Sequence, residues 1–140
     1  MRTMSLDVGT RTIGIAVSDL LGMIASGVET IHRTSEERDY ARIAQLIKEQ
    51  EVDTLVVGYP KNMNGTIGER AQACEAMADK LREMFPAVKV VLWDERLSTV
   101  AAEKVLVDAD MRRKKRKKVI DMMAAVVILQ NYLDSKSFKI

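Results

Sequence analysis

Two stretches of this chain, DTLVVG at Asp53–Gly58 and VKVVLW at Val88–Trp93, are built around unbroken apolar runs rather than alternating ones. A strand is apolar on both faces only when both faces are covered, which is the pattern of parallel strands in α/β proteins. The residues between them have a helical period. A strand–helix–strand connection is right-handed in nearly all cases, and it returns the second strand parallel to the first. The centre of the fold is therefore expected to be a sheet covered by helices.

The N-terminal third has a different rhythm. TMSLDV, IGIAVSD and GVETIH read as strands, and GTRT and LLGMIAS separate them. Turns this short predict an antiparallel meander. Thr34 with Glu37 has the spacing of a capping box, and Tyr40, Ile43, Ala44 and Ile47 then share one helical face. Thr66 with Glu69 repeats that signal. Ile67, Ala71, Cys74, Ala78, Leu81 and Phe85 continue the second buried stripe, and Pro86 closes it. Ser98 or Thr99 is placed to cap a further helix ending near Val107, before a basic run and a last apolar helix. The prediction is a single α/β domain over residues 1–140. Its sheet has five strands, the first three antiparallel and the later ones parallel, flanked by helices.

Composition removes several functions. The longest apolar run, MMAAVVIL from Met122, is too short to cross a bilayer, and Asp7 interrupts any signal-peptide core. One cysteine, Cys74, cannot close an internal disulfide, which suits a reducing cytoplasm. The expectation is a cytoplasmic protein with no membrane partner. With one histidine, His32, the chain lacks the ligands of a Cys/His zinc site. His32 ends a strand and reads as structural or surface, and Cys74 reads as core.

Charge is uneven. The run Arg112, Arg113, Lys114, Lys115, Arg116, Lys117 and Lys118 holds seven of the 22 basic residues and no acid, so the remainder, with 20 acidic residues, is net negative. Such a run is either a solvated loop or a contact for a polyanion.

Three carboxylates stand where they are costly. Asp7 interrupts a strand made for burial, Glu95 follows Asp94 at the end of another, and Asp121 lies near the head of the last apolar helix. Each has an ordinary explanation: a turn-bonded aspartate, an ion pair with Arg96, and an acid complementing the helix dipole. Brought together they would repel unless a cation neutralised them. Oxygen ligands without His or Cys select Mg²⁺ or Mn²⁺. Spacing leaves both readings open.

The blocks LDVGTRTIGIAVSD, VVGYPKNMNGT, LWDERLST and KKVIDMMAAVVILQNYL resemble, in order and spacing, the motifs of the YqgF/RuvX family. Its members are Holliday-junction-resolvase-like proteins that are also assigned as pre-16S rRNA nucleases, with an RNase H-like fold. The resemblance covers almost the whole chain. It implies that Asp7, Glu95 and Asp121 are the catalytic, metal-binding acids. It further implies nucleic-acid contacts from Gly9 and Arg11 in the first turn, with Gly14 nearby, and from Lys61 and Asn62 in the Pro/Gly/Asn-rich loop. Arg96 and the basic run Arg112–Lys118, as a substrate clamp, complete the set. The implied partner is nucleic acid, an rRNA precursor or a branched DNA, and the protein a monomer or homodimer. In one respect the chain departs from junction resolvases of this fold, which carry a further acid one helical turn after the helix aspartate. Here that position is Ala124, and Asp134 is several turns away.

Two other classes fit part of the pattern. The first block also resembles the phosphate-binding hairpin of actin-like ATPases and sugar kinases, although 140 residues supply one such domain and not two. The basic run would equally serve an RNA-binding ribosome-maturation factor without catalysis.

Overall fold

The computed structural model describes residues 1–60, 67–94 and 113–137, without the side chains of 113–121 and 137. Strands β1 (Arg2–Val8), β2 (Thr12–Ser18) and β3 (Ala25–His32) are followed by helix α1 (Glu36–Glu49). Strand β4 (Val52–Tyr59), helix α2 (Glu69–Met84), strand β5 (Lys89–Asp94) and helix α3 (Arg113–Ser137) complete the described elements. The five strands form one sheet in the order β3-β2-β1-β4-β5. β2 is antiparallel to β1 and β3, whereas β4 is parallel to β1 and β5. This is the mixed sheet predicted from the strand spacing.

Alternation along the strands sends side chains to two separate cores. Met4, Leu6 and Val8 of β1 pack with Leu55 and Val57 of β4 beneath Ile43 and Leu46 of α1 and Cys74, Ala78 and Leu81 of α2. On the other face Ala16, Val56, Val91 and Trp93 pack against Ala125, Ile128, Leu129, Tyr132 and Leu133 of α3. Covering on both faces explains why β4 and β5 carry continuous apolar runs. Cys74 is buried and His32 is exposed, as expected.

Several boundaries differ from the expected ones. Helix α1 is capped by Ser35, not Thr34, because Ser35 has the extended backbone of an N-cap (φ −142°, ψ 155°) and its Oγ accepts from the Arg38 amide. The N-cap of α2 is Gly68, so the helix starts too late for Thr66, which lies outside the described residues. Ile67 precedes α2 and is exposed, while Met77 joins the buried stripe. The helix expected between Ser98 or Thr99 and Val107 falls outside the described residues.

The largest correction concerns the basic run. From Arg113 to Lys118 its backbone is the start of α3, not a loop. Lys and Arg are good helix formers, and propagation from the long apolar portion adds one hydrogen bond per residue. Asp121 consequently lies in the third turn, and the first turn of α3 carries no acid. Since the dipole effect fades within the first turn, the helix-end explanation for Asp121 falls away.

Leu129 is fully buried between α3 and the sheet. Leu129→Ala should cost about 2–5 kcal/mol, measured as a lower urea midpoint with an unchanged slope. An unchanged midpoint would contradict this packing.

Candidate active site

Asp7 belongs to the face of the sheet that meets α3. Two residues earlier, Ser5 Oγ donates to the Ala125 carbonyl at 2.7 Å, and residues i and i+2 of a strand share a face. Asp7 pairs across the ladder with Gly14, a buried position that brings no side chain of its own. It is half-buried.

Helix α3 runs antiparallel to β1 and β3. Ala25 N donates to Gln130 Oε1, at 3.0 Å, whereas Gly27, further along the same strand, faces Met122. Thr3 of β1 shares a cleft with Tyr132 and Leu133, and Ser5 meets Ala125. Advancing two residues from Ser5 to Asp7 covers ~6.6 Å of strand. Retreating four residues from Ala125 to Asp121 covers ~6 Å of helix. These lengths match, so the helical turn containing Asp121 passes over the end of β1 that carries Asp7.

Of the third acid, the structure describes only the approach. Val91 and Trp93 of β5 pack on the α3 side of the sheet. Asp94 is the last residue of β5 and is exposed. Glu95, Arg96, Lys61, Asn62 and Arg112 lie outside the described residues, as do the side chains of Arg113–Lys118 and Asp121. Among the described residues no three His, Cys, Asp or Glu side chains come together.

The surroundings of Asp7 suit a hard cation. Its row in the sheet holds Gly14 and Thr30 and offers neither nitrogen nor sulfur from a side chain. His32 stands at the exposed end of an edge strand, and Cys74 is buried beneath the opposite face. An all-oxygen donor set favours Mg²⁺ or Mn²⁺ over zinc.

Gly9 has a structural duty in the β1–β2 turn. Its amide donates to the Thr12 carbonyl at 2.7 Å, and a Cβ on Gly9 would approach that oxygen to 2.8 Å. Arg11 is exposed at the tip of the turn. Ala124, one turn after Asp121, is buried, and Asp134 is exposed and accepts from Gln130.

Sequence reasoning passed over two arginines behind this turn. Arg33 donates through Nη1 to the Gly9 carbonyl at 2.8 Å and through Nε to the buried Asp39 carboxylate at 3.0 Å. Arg70 donates to the Val8 carbonyl. The available signal was Asp39, four residues before Ile43 and hence on the buried face of α1. A buried carboxylate needs a cation or hydrogen-bond donors.

The sequence profile of the family described as "RuvX: Holliday junction resolvase" matches residues 1–135. A Geobacillus kaustophilus protein named "Putative pre-16S rRNA nuclease" is 62% identical over 138 residues, 97% of this chain and 99% of that protein. A Bacillus cytotoxicus protein of the same name is 58% identical over 139 residues, 97% of this chain and the whole of the other. Among solved structures, Thermus thermophilus RuvC in complex with a Holliday junction substrate is similar with a TM-score of 0.62 at 15% identity, covering 99% of this chain and 97% of that one. Fowlpox virus resolvase in complex with Holliday junction DNA also has a TM-score of 0.62, at 13% identity, covering 97% and 99%. These structural likenesses establish the RNase H-like fold.

At the same end of the sheet, the Tyr59 hydroxyl donates to Glu75. That hydrogen bond, with burial second, raises the phenol from its ordinary 10.0 to about 12. A raised pKa in the folded state means the contribution is complete below pH ~10 and is lost as pH rises through about 12. In an ultraviolet titration, Glu75→Gln should return this tyrosine toward its ordinary value, and an unaltered curve would contradict the contact.

The match runs through nearly the whole chain and both partners' lengths, and the fold agrees: this chain is a nuclease of the RuvX family.

Proposed function

We propose that this nuclease processes the 5′ end of the pre-16S rRNA, using Mg²⁺ or Mn²⁺ held by Asp7, Glu95 and Asp121. The observation that carries the metal reading is the register of α3 on β1, which brings the helical turn of Asp121 over Asp7. Glu95 is two residues beyond Trp93, which packs on that same side of the sheet. The choice of RNA rests on the relatives named for pre-16S rRNA. Such an enzyme would work in the cytoplasm, and its partner is nucleic acid.

Within this reading the three carboxylates share one task, holding the cation at the end of β1. When bound, the cation supplies positive charge to the non-bridging phosphate oxygens and lowers the pKa of a water. Gly9 in the turn lets the substrate backbone approach closely, and Arg11 on the exposed turn meets a phosphate. Lys61, Asn62 and Arg96 are assigned further phosphate contacts. The run from Arg112 to Lys118 is assigned further phosphate contacts next to Asp121, and from Arg113 onward its backbone is helix rather than loop. Phosphate contacts of this kind position the substrate but do not read its sequence.

A four-way-junction activity is disfavoured by Ala124. The extra acid of junction resolvases is replaced by a buried methyl group, so the site would have one ligand fewer.

The test is purified protein with Mn²⁺ on labelled rRNA precursor and on a four-way junction, with Asp7→Asn as control. Altering groups that merely orient metal ligands costs ~10–100-fold, so replacing a ligand should lower cleavage by more than ~100-fold. Metal-free RNA affinity should persist in that variant. Asp121→Asn should lose activity likewise without lowering the metal-free melting temperature, because it removes like-charge repulsion. Cleavage of the precursor undiminished in Asp7→Asn would overturn the proposal.

A further inference from the structure

Arg33 and Arg70 reach the root of the β1–β2 turn from different elements, Arg33 from the segment after β3 and Arg70 from the first turns of α2. They line one cleft of about 400 Å³ with Thr10, Ser35, Glu36 and Asp39, on the face opposite α3. Their targets are consecutive carbonyls, Val8 for Arg70 and Gly9 for Arg33. Those are the two residues immediately after Asp7. Arg33 also donates its backbone amide to the Arg11 carbonyl at 2.8 Å, so it ties down both sides of the turn. Asp39, nearly inaccessible, fixes the Arg33 guanidinium in turn.

We propose that Arg33 and Arg70 are positioning residues for Asp7, and this rests on the reading of Asp7 as a metal ligand. The β1–β2 ladder ends at Val8 and Ile13, so Asp7 sits one residue from the end of its pairing. Strand ends open more readily than strand centres. A metal-binding carboxylate has to be held within ~0.5 Å of its working position. Two guanidinium groups on the next two carbonyls supply that restraint from beneath the sheet, leaving the α3 side to metal and substrate. A phosphate-binding role for the cleft is opposed by its own lining, since Glu36 and Asp39 face the same space.

Arg70 is the primary test, because removing it does not strand the buried Asp39. Mn²⁺ uptake is measured by calorimetry without nucleic acid on wild type, Arg70→Met, Arg70→Lys, Arg33→Met and Asp7→Asn. Metal-free RNA affinity and melting temperature are measured on the same proteins. Second-layer residues of metal sites typically change affinity by ~10–100-fold, so Arg70→Met should weaken Mn²⁺ binding by about tenfold. Arg70→Lys should restore part of the loss, and RNA affinity should remain at the wild-type value. A Mn²⁺ isotherm in Arg70→Met that superimposes on wild type overturns the inference, whatever happens to the melting temperature. Weakened RNA affinity with unchanged Mn²⁺ binding also overturns it and makes Arg70 a phosphate contact. Failure of the metal reading has a different signature, wild type and Asp7→Asn taking up Mn²⁺ equally or not at all.

Discussion

The close approach of α3 to the sheet is the constraint on which the site depends. One row across the strands, Gly27–Ala16–Ser5–Val56, is made almost entirely of small side chains. Over that row α3 places Met122 against Gly27 and the Ala125 carbonyl against Ser5 Oγ. The hydroxyl of Ser5 is fully buried, so its bond to Ala125 avoids an unsatisfied donor and sets the register of helix on strand. A larger residue at Ser5 or Ala16 would lift the helix, and the turn of Asp121 would leave the end of β1. In the proposed site, packing would thus determine which carboxylates can share a cation.

The same register separates duties between the two faces. The α1 and α2 side holds the larger core, together with the arginines that grip the β1–β2 turn from below. The α3 side holds Asp7, its glycine partner and the start of the cationic helix. Rigid support from one face and carboxylates presented on the other would suit the proposed site, where a flexible polyanion must meet fixed ligands.

Much of this was legible in the residues. Continuous apolar runs in β4 and β5 announced strands covered on both faces, and the closely spaced alternating runs before them announced the antiparallel meander. Asp7 was visible because an ionisable residue in a buried strand is costly. The misses have physical reasons. Thr34 and Ser35 are both good caps, and only the extended backbone at Ser35 decides between them. A run of like charges suggests a solvated loop, but from Arg113 helix propagation out of a long apolar segment carries the backbone of the run into α3. Arg33 and Arg70 were invisible because their role depends on three segments meeting, which no local spacing encodes. Glu95 remains known by resemblance and by the parity of the strand that leads to it.

The most direct measurement of the central claim is a crystal structure of the protein grown with Mn²⁺, with the ion located by its anomalous scattering. The account predicts one Mn²⁺ within ~2.0–2.3 Å of carboxylate oxygens from Asp7, Glu95 and Asp121, between β1 and α3. An ion bound elsewhere, or Asp121 turned away from Asp7 with no density between them, would contradict it.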